Sequence, residues 1–230
     1  TASFVSDKEV EVQLANGKTQ QLTAERIFIN TGARPFVPSI PGLKDSKHVY
    51  VSEELLDVET LPQEMIIIGG GYIGMEFASM YANFGSRVTI IQDGEVFLPR
   101  EDAEIAAAVL KSLEDRGIVV LRSTKINSVK DEGNRASMTV TTPAGEKVLS
   151  ADVILAATGR RPNVEGLGLE KAGVALTERG AVKTDSKLQT SVPHIYAMGD
   201  VVGGLQFTYI SLDDFRVVFS QIGGDGTRTT

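Results

Sequence analysis

Residues 69–74 read Gly-Gly-Gly-Tyr-Ile-Gly, a G-x-G-x-x-G spacing, and their setting constrains the fold more than any other stretch of the chain. Immediately before them lies a short, wholly apolar run, residues 65–68, of the kind expected of a central parallel strand. Immediately after them Ile73, Phe77, Met80, Tyr81 and Phe84 recur at helical spacing, and Gly85 predicts the helix stop. Residues 87–92 predict a second strand, and Ile105, Val109, Leu110 and Leu113 mark a second amphipathic helix that ends near Gly117. Strand, helix, strand, helix, strand is the order of a parallel sheet with right-handed crossovers.

In that context each glycine has a physical task. Gly69 permits a tight turn, Gly71 lets backbone approach a pyrophosphate, and Gly74 allows close packing of helix on strand. The amides of the helix N-terminus then face an anion. A dinucleotide is the ligand expected. About 20 residues further on, a fold that selects NAD places Asp or Glu, whereas one that selects NADP places a basic residue nearby. Gln92 holds that position, followed by Asp93, Gly94 and Glu95. It can hydrogen-bond a 2′-hydroxyl but brings no charge to a 2′-phosphate, and the flanking acids would repel one, so the sequence favours NAD over NADP.

The remaining chain divides around this unit. Residues 8–22 predict a hairpin, with Val10, Val12 and Leu14 alternating before Asn16-Gly17, a pair suited to a type I′ turn. A buried strand follows at residues 27–30, and Pro35, Pro38 and Pro41 mark residues 31–42 as an extended connection. Residues 125–150 predict a β-meander, residues 151–157 a buried strand, and residues 181–185 and 195–198 further strands. The tail, residues 223–230, is rich in Gly and Thr and is expected to fray.

Composition narrows the chemistry. The 230 residues include no Cys, so they hold no disulfide, thiolate nucleophile or cysteine-ligated metal, and two His are too few for a multi-histidine metal site. His48 and His194 are expected in structural roles, and Glu101, Asp102 and Glu104 as a charge set at a helix N-terminus; no metal site is assigned. A net charge of -7 lacks the basic footprint of nucleic-acid binding. No apolar run approaches the roughly 20 residues of a membrane span. No nucleic-acid or membrane partner is expected, and the expected location is the cytoplasm.

Three more segments follow apolar runs: Thr31-Gly32-Ala33-Arg34-Pro35, Thr158-Gly159-Arg160-Arg161-Pro162-Asn163 and Ala197-Met198-Gly199-Asp200. With the glycine turn they resemble the pyridine nucleotide-disulfide oxidoreductases, flavoproteins that include lipoamide dehydrogenase, glutathione reductase and mercuric reductase. Residues 77–85, 97–102 and 203–216 resemble more narrowly a bacterial, mercuric-reductase-like subgroup linked to resistance against reactive chlorine species. The resemblance runs through nearly all of the chain, but Gln92 stands where that subgroup has Glu.

The resemblance implies an α/β fold: a Rossmann-like NAD(P)-binding domain (parallel sheet plus β-meander) at residues 48–160, nested in partial FAD-binding domain segments at residues 1–47 and 161–230. It implies that Gly69, Gly71, Tyr72, Ile73, Gly74, Gln92 and Gly159 bind NAD (or NADP). Tyr72 would cover the flavin and swing aside for nicotinamide, and Glu76, a glutamate in the first turn of its helix, would stand beside both rings; these two are the catalytic candidates. Thr31, Gly32, Gly199, Asp200, Gln206, Phe207 and Thr208 would contact FAD, with Asp200 on the ribityl hydroxyls.

The family's first FAD-binding glycine turn, its redox-active cysteine pair and its dimerisation domain have no counterpart in these residues. The expectation is therefore a central portion of a longer enzyme, whose parent transfers hydride from NAD(P)H to FAD and forms a homodimer through a domain absent here. Two alternatives are a stand-alone nucleotide-binding or sensor module without catalysis, and a relative of NADH oxidases or ferredoxin reductases.

Overall fold

A computed structural model describes residues 1–230 and separates into two compact units, Pro35–Gly159 and Thr1–Arg34 with Arg160–Thr230. In the first of these a five-stranded parallel sheet runs in the order Val49–Tyr50, Val153–Ala156, Glu64–Ile68, Arg87–Ile91, Val119–Leu121. Ile66, Ile67 and Ile68 and the whole of Val153–Ala156 are buried, which is why these strands read as unbroken apolar runs rather than as alternating ones. The helices Tyr72–Asn83 and Ala103–Asp115 are the crossovers between successive strands. Asp102 caps the second of them by accepting from the Glu104 N–H at 3.0 Å. The meander consists of Lys125–Glu132, Arg135–Thr142 and Gly145–Ala151, all antiparallel.

The helix after the glycine turn buries Tyr81 of the predicted face and packs Phe77 and Met80 partly against the same core, but leaves Phe84 outside it. Gly74, Ala78 and Tyr81 are the buried positions, whereas Phe84 is 60% exposed. Small residues win because this helix lies unusually close to its strand: a Cβ on Gly74 would stand 2.0 Å from the Gly69 carbonyl oxygen. Ile105, similarly, is exposed, and Ala106 and Leu113 face the core.

Residues 35–47 belong to this same unit, not with residues 1–34 as a domain boundary at residue 47 requires. Leu43 is fully buried among Ile66, Ile68, Val129 and Met138, and Val129 N–H donates to the Pro41 carbonyl at 2.9 Å. At its edge Glu64 pairs with Arg87 at 2.6 Å and with Arg135, whose guanidinium also reaches Asp152 at 3.1 Å. The two arginines hold the Glu64 carboxyl below the usual carboxylate range.

The other unit carries a three-stranded antiparallel sheet, Ala2–Phe4, Glu9–Gln13 and Thr19–Thr23. Its hairpin is not type I′: Gly17 has φ +78° but Asn16 is not in the left-handed region, and Gly17 N–H donates back to Leu14 at 3.0 Å. The turn is thus longer than the two-residue form, with Asn16 Oδ1 accepting from Lys18 N–H. Ile27–Ile29 pairs in parallel with Ile195–Ala197. Residues 181–185 form isolated bridges, Val182 with Leu176 and Thr184 with Thr190, rather than a strand. The last helix, Thr208–Gly223, buries Val217 and Val218 against Leu188 and Tyr196. The tail after it is tied down, with Gln221 Nε2 donating to Arg228 O at 2.8 Å and Thr230 N–H to Ser186 O at 2.9 Å. No helix is long and apolar enough to cross a membrane.

Candidate functional site

The predicted residues fall into two sets, one in each unit. In the unit Pro35–Gly159 the chain leaves the strand Glu64–Ile68 through Gly69, at φ +105°, whose N–H donates to the Ile91 carbonyl at 2.9 Å. A side chain there would collide with backbone, since its Cβ would stand 2.4 Å from the Ala157 oxygen. Gly71 is the N-cap of Tyr72–Asn83, with no side chain capping the helix and nothing within 4 Å of where a Cβ would stand. The first intrahelical bond runs from Met75 N–H to Gly71 O, so the helix's own ladder leaves the amides of its first turn, ahead of Met75, directed at the end of the strand. Neutral donors, the positive end of a helix dipole and open space in front of Gly71 suit a phosphate group.

Around this turn the structure gathers some of the predicted residues and leaves others apart. Gln92 Oε1 accepts from Gly70 N–H at 3.0 Å, which closes the second strand onto the turn. The ring of Phe97 covers Gly70 from the other side, 2.8 Å from its Cβ position. Tyr72 donates its hydroxyl to Glu101, which fixes a 38%-exposed ring at the helix start. Ile73 is half-buried. Glu76 is exposed and lies beyond the first turn, which holds no acid, so its expected first-turn placement by the dipole does not apply. Gly159 is exposed, and its carbonyl accepts from Phe36 N–H at 2.9 Å.

The second set lies in the unit Thr1–Arg34 with Arg160–Thr230. Thr31 and Gly32 are locked to Asn163: Thr31 Oγ1 donates to its carbonyl at 2.7 Å, its Nδ2 donates to the Thr31 carbonyl at 2.9 Å, and its N–H to the Gly32 carbonyl at 2.9 Å. Nearby, Arg34 pairs with Glu165 at 2.7 Å and holds that carboxyl down to about 2. Asp200 is half-buried in the short helix Gly199–Val202, directly after the strand Ile195–Ala197. Gln206 and Phe207 are half-buried, and Thr208 opens the long helix, whose N-terminus has no capping side chain and no acid in its first turn.

His48 and His194 each bond a backbone carbonyl, that of Asp152 at 3.0 Å and that of Asp7 at 2.7 Å. Neither meets any of the predicted site residues.

Three residues to which sequence reasoning gave no role in these sites shape them: Phe97, Asp214 and Glu101, the last read only as part of a helix charge set. Asp214 had a legible signal, because it shares a helix face with Val217 and Val218, three and four residues on, where an acid is out of place. It is 8% exposed, and its Oδ2 accepts from Gly199 N–H at 2.8 Å. Burial raises its pKa, opposed by that N–H. The protonated form is therefore favoured in the folded state, and the associated stability, full below the ordinary value of 3.8, is lost as pH rises through the raised folded value. The Asp214→Asn variant keeps an acceptor for Gly199 and should gain stability relative to the parent as pH rises from 4 to 7.5 in urea titrations. Asp214→Ala orphans the Gly199 N–H and should lose about 1–3 kcal/mol.

Comparisons with known proteins agree with this architecture. The family model described as "Pyridine nucleotide-disulphide oxidoreductase" matches residues 1–214. The probable pyridine nucleotide-disulfide oxidoreductase RclA of Escherichia coli (strain K12) is 44% identical over 229 residues, covering 100% of this chain and 51% of the relative. A dihydrolipoyl dehydrogenase of Mycobacterium bovis is 38% identical over 227 residues, covering 99% of this chain and 48% of its own. The solved structure of the HOCl-induced flavoprotein disulfide reductase RclA from Escherichia coli, as its Cu(II) complex, superposes with a TM-score of 0.92 at 43% identity, over 100% of this chain and 51% of that one. The chain thus spans about half the length of the curated relatives it matches. Sequence motifs, parallel-sheet architecture and the extent of the match together place the chain in the pyridine nucleotide-disulphide oxidoreductase family.

Proposed function

We propose that the unit Pro35–Gly159 binds a nicotinamide dinucleotide, and that the other unit supplies part of an FAD site within a longer flavoprotein. Bound together, the two cofactors supply hydride transfer from NAD(P)H to FAD, chemistry that is their own and not the protein's. The observation that carries the reading is the uncapped helix start behind Gly71, with open space where a side chain would stand. Both candidate sites fit their groups. The first offers backbone donors without a competing carboxylate in the first turn, and the second offers Asp200 as an acceptor for hydroxyls beside a second uncapped helix start.

In this reading the Gly69–Gly74 turn orients the pyrophosphate and Gln92 meets the adenine ribose. Tyr72 and Glu76 flank the nicotinamide, with Tyr72 shielding the ring's site from water. Asp200 orients the ribityl chain, and Thr31, Gly32 and Gln206 to Thr208 line the rest of the flavin's contact with this chain. Disulfide chemistry lies outside these residues, which contain no cysteine. A single G-x-G-x-x-G turn serves one dinucleotide, so the 230-residue chain should bind NADH weakly, hold little FAD and reduce no disulfide substrate.

Isothermal titration of NADH into the purified chain should give saturable one-to-one binding. An absence of binding at millimolar NADH would overturn the assignment of this turn, and stoichiometric flavin in the purified chain would overturn the partial FAD site.

A further inference from the structure

We infer that Gln92 makes the ribose end of this site accept NADPH alongside NADH, a proposal that rests on the dinucleotide reading above. The key contact is the one from Gly70 N–H to Gln92 Oε1, 3.0 Å. A backbone N–H can only donate, so it fixes which way round the Gln92 amide stands: the oxygen faces Gly70 and the NH2 faces away. The Nε2 atom lies on the side of the loop after the strand, 3.3 Å from where a Cβ on Gly94 would stand. What Gln92 offers beyond the turn is therefore a donor.

A glutamate here would act differently. It would satisfy Gly70 with one oxygen and present the other, charged, where the NH2 now stands. That oxygen would accept from a ribose 2′-hydroxyl and repel a 2′-phosphate. Gln92 removes the repulsion and puts in its place an N–H suited to either a hydroxyl oxygen or a phosphate oxygen.

Charged groups of both signs surround Gln92. Asp93 is adjacent, but its Oδ1 is turned back to accept from Gly94 N–H at 2.8 Å. Glu95 is exposed, and its backbone carbonyl accepts from Arg122 Nη1 at 3.3 Å. Arg122 is held in place by the sheet itself. It follows Val119–Leu121, and the segment around it bonds to the loop, Gln92 N–H to Leu121 O at 2.8 Å, Ser123 N–H to Gly94 O at 3.1 Å and Thr124 N–H to Gln92 O at 3.0 Å. The end of the second strand thus carries a neutral donor, and the loop that follows it holds a guanidinium at the Glu95 carbonyl. A guanidinium matches phosphate oxygens better than it matches a hydroxyl.

The test is titration of NADH and NADPH separately into the chain and into two variants, with thermal melts to confirm folding. The unaltered chain should bind NADPH within about tenfold of NADH, in contrast to the rejection expected of an acidic residue. Gln92→Glu should raise the NADPH-to-NADH ratio of dissociation constants by about tenfold or more, through loss of NADPH binding. Arg122→Ala, an exposed substitution that does not depend on refitting the turn, should weaken NADPH by several-fold and leave NADH unchanged. If NADH binds and NADPH is more than about a hundredfold weaker in the unaltered chain, or if neither variant moves the ratio, the inference fails while the dinucleotide reading stands. If neither nucleotide binds, both fall.

Discussion

Gly74→Ala should destabilise the unit Pro35–Gly159 by about 2 kcal/mol or more, although alanine is the better helix former by about 1 kcal/mol. Two effects compete here, and geometry decides between them. The added methyl would stand 2.0 Å from the Gly69 carbonyl oxygen and 3.2 Å from Ile67 Cγ2. The first neighbour is backbone in a turn whose other side is held by the Gly69 N–H bond to Ile91, so it cannot swing away as a flexible side chain could. Relief requires lifting the helix off the strand, which opens the core around Ala78 and Tyr81. Urea unfolding followed by far-UV circular dichroism measures the loss, and a stability equal to or above that of the parent would show that the close approach is not needed.

Gly71→Asp should do the opposite, leaving the fold intact and weakening NADH by about a hundredfold or more. Gly71 has φ -81°, which any residue adopts, and nothing lies within 4 Å of its Cβ position. An aspartate at an N-cap accepts from the helix's first amides, so the melting temperature should hold or rise slightly. The same carboxylate occupies the place proposed for the pyrophosphate and repels it. Paired measurement of thermal unfolding and NADH affinity separates the two effects. Retained affinity would mean that the phosphate does not sit at this helix end. Set beside Gly74→Ala, this variant distinguishes two glycines of one motif, one that the fold needs and one that the ligand needs.

Much of this was legible in the order of residues. The run at residues 65–68, the glycines and the next apolar stretch have only one compact arrangement, a parallel pair joined by a helix, and the structure has it. The errors share a cause. Helical spacing puts Phe84 and Ile105 on the apolar faces of their helices, yet both are exposed. Spacing identifies a face of a helix but not the distance to the surface it packs against, and here the close approach at Gly74 leaves room only for small residues such as Gly74 and Ala78 on the buried side there. The family resemblance groups residues 35–47 with the preceding strand, whereas Leu43 finds its burial against the meander and the sheet.

The candidate sites show the same division. Sequence alone determined where a phosphate-binding turn could form, because a strand end, three glycines at fixed spacing and a helix start are local facts of the chain. It could not determine what Gln92 offers a ligand, since an amide has a donor end and an acceptor end, and only the Gly70 N–H brought against it through the sheet decides which one turns outward. Nor could it reveal Asp214 beneath Gly199 or Arg122 on the Glu95 carbonyl, contacts that link residues 15 and 27 positions apart. A local pattern fixes the backbone's few allowed shapes. The direction in which a polar side chain presents itself depends on partners that only tertiary folding supplies, because a buried or half-buried polar atom turns towards whatever donor or acceptor the packing leaves within reach.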